Sequence, residues 1–168
     1  MKTKFYFFLL SLSVSFMACG QKENKLSPLT KSEGVVDGGK ISIVYHAPSA
    51  RGRKMLGDIE PFGKVWRTGA DNATTIEFSK AVKVEGKDLP AGKYELFTIP
   101  GEKEWTIIFQ KFSNQWGAYS YKDSNDVLRV KVNSEKSPSF VETLKIGVAG
   151  SQVKIEWENT IVAFKIKG

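Results

Sequence analysis

The apolar positions of this chain recur at a period of two over most of its length. Ile41, Ile43 and Tyr45 alternate with Ser42, Val44 and His46, and Ile76 and Phe78 alternate with Glu77 and Ser79. The same pattern returns at Leu128, Val130 and Val132, at Leu144, Ile146 and Val148, at Val153, Ile155 and Trp157, and at Val162, Phe164 and Ile166. Each run buries one face and wets the other, as antiparallel strands do. Residues 94–99 and 105–109 are apolar on both faces, which predicts a central hairpin turned at Pro100 and Gly101. Val82 to Val84 predicts a short strand, with a tight corner at Leu89 to Gly92. Further turns are expected at Ala149 to Ser151 and at Glu158 to Thr160. No window carries a helical stripe with caps. The pattern predicts an all-β fold, an antiparallel β-sandwich of about nine short strands with one long irregular loop after the first strand.

That loop runs from Pro48 to Thr75. It is too long and too rich in Gly, Pro and Arg for a turn, and loops of this length in compact domains are functional or disordered. Its Trp and Phe favour the functional reading. Arg51, Arg53, Lys54, Lys64 and Arg67 stand in it against Asp58, Glu60 and Asp71. A guanidinium presents a planar fork of donors suited to carboxylate or phosphate. The residues to expect at a polar ligand site are therefore Arg51, Arg53, Lys64, Trp66, Arg67, Asp71 and Asn72. The alternative is that the arginines pair with the acids of their own loop and pin it to the sheet. A second irregular stretch, residues 112–126, offers Trp116 and Tyr119 among amides and hydroxyls. Such rings stack on sugar rings or plug an open end of the fold.

The N-terminus has a different character. Lys2 and Lys4 precede an apolar run from Phe5 to Met17, and Ala18 and Cys19 follow. A charged start, a short apolar segment and a small-residue cleavage site make a secretory signal. Cys19 is the single cysteine of the chain. The run Phe16-Met17-Ala18-Cys19 resembles a lipobox, with Phe16 bulkier than the usual residue. The expected organisation is a lipoprotein signal peptide at 1–18, a lipidated Cys19 and flexible tether at 19–40, and the β-domain at 41–168. Membrane attachment through Cys19 places the protein in the bacterial cell envelope.

Charge adds little to this. The formal net charge is +7, and loss of Lys2 and Lys4 with the signal lowers it by two. A basic excess can mark a nucleic-acid binder, but the chain carries a secretory signal and no block of five or more Lys/Arg. No nucleic-acid partner is expected. His46 is the single histidine, and with no second His and no available Cys there is no zinc-ligand spacing. Residues 123–126 fail the calcium-loop pattern at its Gly and Glu positions. No cofactor is expected.

Several runs carry a resemblance. Gly52-Arg53-Lys54, Pro61-Phe62-Gly63-Lys64-Val65-Trp66-Arg67-Thr68-Gly69-Ala70, Asn72 to Phe78, Leu89 to Tyr94 and Leu96 to Pro100 resemble the bacterial family catalogued as domain of unknown function 2911, over roughly Ile41 to Gly168. The resemblance implies a secreted or lipid-anchored envelope protein with a β-rich domain. It brings no activity, substrate or catalytic residue. The chain departs from the family pattern at His46-Ala47-Pro48, where Gly-Arg-Pro is usual, and at Asp71-Asn72, where Asn-Glu is usual.

The function expected from these features is binding of a polar small molecule, a glycan or an envelope partner protein through the 48–75 and 112–126 loops. Two alternatives stand beside it. One is an envelope hydrolase using carboxylates near Asp71 or Glu77 with His46 or Arg67. The other is a purely structural lipoprotein.

Overall fold

The computed structural model describes residues 26–168. Nine strands account for most of them: β1 (Leu29–Val36), β2 (Gly39–His46), β3 (Ala70–Phe78), β4 (Val82–Val84), β5 (Lys87–Leu89), β6 (Gly92–Ile99), β7 (Glu104–Lys111), β8 (Asp126–Ala149) and β9 (Gln152–Lys167). All pair antiparallel. The hydrogen-bonded order is β1-β2-β3-β6-β7-β8-β9-β4-β5, one sheet of nine strands. The all-β antiparallel class is as the alternation predicts, and the strands join into one sheet. Among the described residues no helix is long and apolar enough to cross a membrane. Cys19 and the segment before it lie outside the described residues.

The strand count agrees with expectation only by cancellation. The runs at 128–132 and 144–148 belong to one strand, β8, and those at 153–157 and 162–166 to another, β9. Glu158 to Thr160 is therefore not a turn. Glu158 sits at φ 52 inside β9, where the register with β8 slips. A further short strand, β5, precedes the expected corner and ends at its first residue, Leu89. The expected tether contains β1, whose Glu33 and Gly34 lie opposite Ser42 and Ile41 of β2. Burial along β1 never falls into a full apolar row, which is why its pattern reads as polar. The long loop consequently follows the second strand. It ends at Gly69, because Ala70 to Thr75 already lie in β3.

The sheet curls until its distant parts share one core. β8 pairs with β7 through its first third and with β9 through the remainder. The far part of β8 lies against the first hairpin: the Ile146 N–H donates to Tyr45 Oη at 3.0 Å, and the Leu144 N–H to the Pro48 carbonyl at 2.9 Å. Gly34 permits the approach, since a Cβ there would stand 2.5 Å from Val148 Cβ. Ile41, Ile43, Ile76, Leu96, Ile107, Phe109, Val153, Ile155 and Phe164 fill the interior. The opposite face of the central hairpin buries Phe97 and Ile108, with Ala73, under Val65, Ala118 and Tyr121. That second layer explains why β6 and β7 are apolar on both sides.

Candidate ligand site

The segment between β2 and β3, residues 47–69, is tied to the sheet by its backbone as well as by its side chains. The Ala50 N–H donates to the Glu142 carbonyl at 2.9 Å, and the Arg51 N–H to Glu142 Oε1 at 2.6 Å. The Met55 and Leu56 N–H groups donate to the two carboxylate oxygens of Glu158, each at 2.8 Å. Farther along, Trp66 exchanges both backbone hydrogen bonds with Thr98, at 2.7 and 2.9 Å. Its indole N–H donates to the Gly69 carbonyl at 3.1 Å. A carboxylate that accepts backbone donors makes a charge-assisted bond, stronger than a neutral one. The acids that pin the loop therefore come from β8 and β9, and its arginines are not needed for that task.

The arginine side chains turn to a shared cavity. Arg51, Arg53 and Arg67 all line a hollow of about 520 Å³, within the range of small-molecule sites. Arg53 donates through Nε to the Ala50 carbonyl at 3.0 Å and through a terminal nitrogen to the Ser49 carbonyl at 3.2 Å. Arg51 donates to the Leu26 carbonyl at 3.0 Å. Among the described residues none of the three forms an ion pair. Arg67 Nε is buried with no hydrogen-bond partner among the described residues. Its backbone is fixed, the Thr74 N–H donating to its carbonyl at 3.1 Å. An unpaired buried donor is costly to leave unmade.

The rest of the lining is apolar except for one acid. Met55 and Trp157, both nearly inaccessible, reach the hollow from the core, and Ile59 stands exposed beside them. Glu60 is the acid. The turn that carries it is tight: the Glu60 N–H donates to the Met55 carbonyl at 2.8 Å, and the Gly57 N–H to the Glu60 carbonyl at 2.9 Å. Burial pushes its carboxyl above the ordinary glutamate value, and the Arg67 charge pulls partly the other way.

The other expected site residues are dispersed. Trp66 is a core residue, 2% exposed, stacked on Trp157. Lys64 is exposed and does not line the cavity. Asp71, at φ 55, opens β3 and stands 3.3 Å from His46 Nδ1, which also faces the Ser27 carbonyl at 3.1 Å. Asn72 is exposed and bridged through its backbone to Trp116. Asn72 and His46 line a separate groove of about 230 Å³. Glu77 lies on another surface, beside Lys31, Glu33 and Lys40. Asp71 and Glu77 thus do not converge on one site. Among the described residues no three His, Cys, Asp or Glu side chains cluster as a metal would require.

Trp116 is 64% exposed and stacks on Tyr119, centroids 5.6 Å apart and planes 13° from parallel. Tyr121 of the same stretch turns inward against Phe97. Burial and the neighbouring Asp126 push its hydroxyl up to about 12. Behind it, the fully buried Glu95 accepts the backbone and side-chain N–H groups of Gln115, both at 2.6 Å. This network fixes the base of the stretch and leaves the Trp116–Tyr119 pair outside.

Sequence reasoning missed Glu142 and Glu158 as anchors, and it did not single out Met55, Glu60 or Trp157 as cavity residues. Glu60 was visible only as one of three acids in the loop. Nothing local marks Glu142 or Glu158, because their partners lie 91 and 103 residues away.

No curated protein and no solved structure matches the chain. A family model described as a protein of unknown function, DUF2911, matches residues 27–166. The match begins just before β1 and ends in β9, so it takes in the three cavity arginines and both acidic anchors of the loop: the chain belongs to the DUF2911 family.

Proposed function

We propose that this protein is a lipid-anchored domain of the bacterial cell envelope that binds a small ligand bearing an acidic group in the arginine-lined cavity. One observation carries the binding reading. Arg67 Nε is buried and unpartnered in a hollow that Arg51 and Arg53 also line, while the acids that hold the loop backbone come from β8 and β9. Three cations that form no ion pair among the described residues are a donor set for a carboxylate or phosphate. The anchoring rests on the sequence alone, on the charged start, the apolar run and the cysteine after Ala18.

Thermal unfolding in the presence of small acids tests the binding. A ligand at about 100 times its Kd adds about 2.7 kcal/mol to the stability of the state that binds it. Carboxylate or phosphate compounds should raise the Tm of the wild type and leave that of Arg67→Met unchanged. Without ligand, Arg67→Met should fold with a stability close to that of wild type, since removal of an unpaired donor offsets the loss of its charge near Glu60. If Arg67→Met unfolds instead, the arginine is a structural element and the reading fails. Fractionation of Cys19→Ser tests the anchor: the variant should leave the membrane fraction.

A further inference from the structure

The cavity contains a feature that an anion site does not need. Glu60 places a carboxylate among three arginines, yet it forms no ion pair with any of them among the described residues. Against an anion with no hydrogen-bond donor, such as sulfate, that carboxylate is repulsive. It becomes an asset only if the ligand brings a hydrogen-bond donor to it. Glu60 is also held in place. Its turn is closed by backbone bonds to Met55 and Gly57, and the Met55–Leu56 end of the turn hangs on Glu158.

The remaining lining calls for carbon. Met55, Ile59 and Trp157 give the hollow an apolar side, and its volume of about 520 Å³ exceeds what a phosphate ion fills. A matching molecule therefore has an acidic group for the arginines, a carbon skeleton, and a donor for Glu60.

Resting on the binding reading above, we propose that the ligand is an organic acid that also carries a hydroxyl or ammonium group, with Glu60 reading that donor. Hydroxy acids, sugar acids and amino acids make up this class. Glu60 then sets specificity within the acids, and the arginines supply the affinity common to all of them. A site built to hydrogen-bond a ligand group rejects analogues that lack it, by about ten-fold or more.

Calorimetric titration of the folded domain with four probes tests this: glucuronate and phenylalanine as donor-bearing acids, cyclohexanecarboxylate as an acid without a donor, and sulfate as an inorganic anion without one. On wild type, at least one of the first two should bind about ten-fold or more tightly than either of the others. Glu60→Leu should remove that preference. Glu60→Gln, which keeps an acceptor and loses the charge, should retain preference for a hydroxyl and lose it for an ammonium group. Equal binding of all four probes, or a preference that survives Glu60→Leu, overturns the inference and leaves the anion site standing. Should Glu60→Leu fail to fold, an undiminished ammonium preference in Glu60→Gln overturns it equally. Absence of binding by every probe removes both the inference and the reading it rests on.

Discussion

Trp66 and Trp157 stack face to face, ring centroids 5.5 Å apart and planes 12° from parallel. Trp105 meets Trp66 edge-on at 6.2 Å. The first ring comes from the long loop and the second from β9, so the pair locks the loop to the sheet beside the cavity that Trp157 lines. Trp66→Ala should cost about 3–5 kcal/mol, the usual range for removing a buried aromatic. Trp116→Ala removes an exposed stacked ring and should cost about 1 kcal/mol or less. Urea unfolding of the two variants reads the contrast directly. Comparable losses would mean that Trp116 is buried against something in solution.

Glu158 should behave as the anchor of the arginine loop. Glu158→Gln keeps one acceptor oxygen and removes the charge, so the Met55 and Leu56 donors lose charge-assisted bonds worth about 1.5–3 kcal/mol each at most. Amide hydrogen exchange should quicken at Met55 and Leu56 well before it changes in β6 and β7. Exchange that quickens uniformly would show that Glu158 acts on the whole domain.

Glu60 gives the stability of the domain a pH dependence of known sign. Its carboxyl holds a proton more tightly in the folded protein than in the unfolded chain, because burial disfavours the charge. Stability contributed by this group is therefore full below the ordinary glutamate value. It declines as pH rises through the raised one, and the loss is complete above it. Glu60→Gln should have a higher Tm than wild type at neutral pH, and the difference should close on acidification. In Arg67→Met, where the opposing charge is gone, the window should extend to higher pH.

Gly34 tests the closure of the sheet. Gly34→Ala drives a methyl group into Val148 and should cost about 1–3 kcal/mol, as overpacking does. In the double variant with Val148→Gly the Cβ that the new methyl strikes is gone, so its loss should be smaller than the sum of the two single losses. If Gly34→Ala is silent alone, β1 does not pack against β8 as tightly as the backbone distance requires.

The legible parts of this protein were those whose signal is local. A period of two reports that one face is buried, and it located β2, the end of β3 and most of β6, β7, β8 and β9. It did not report continuity. The gap between Val132 and Leu144 contains Pro138 and Ser139 and reads as a break, although β8 runs through it, pairing with β9 up to Lys136 and again from Val141. β1 was missed for the reason that an edge strand pairs on one side only and needs no apolar row.

The site divides in the same way. Residue chemistry drew attention to Arg51, Arg53 and Arg67, and these three do share one cavity. Residue chemistry also grouped Trp66 with Trp116, although one is packed in the core and the other stands in solvent. Tryptophan serves both places, and only the distant partners Trp105 and Trp157 decide which. The loop's real anchors were beyond local reading for the same cause.

The separation of 103 residues between Met55 and Glu158 has a temporal meaning. A chain made from its N-terminus carries the arginine segment long before its tether exists. At about 5–20 residues per second, roughly 5–20 s of synthesis lie between the two. A chain interrupted before β9 would therefore contain every arginine of the cavity and no cavity. The cavity is among the last features of the protein to come into being, although most of its residues are among the first to be made.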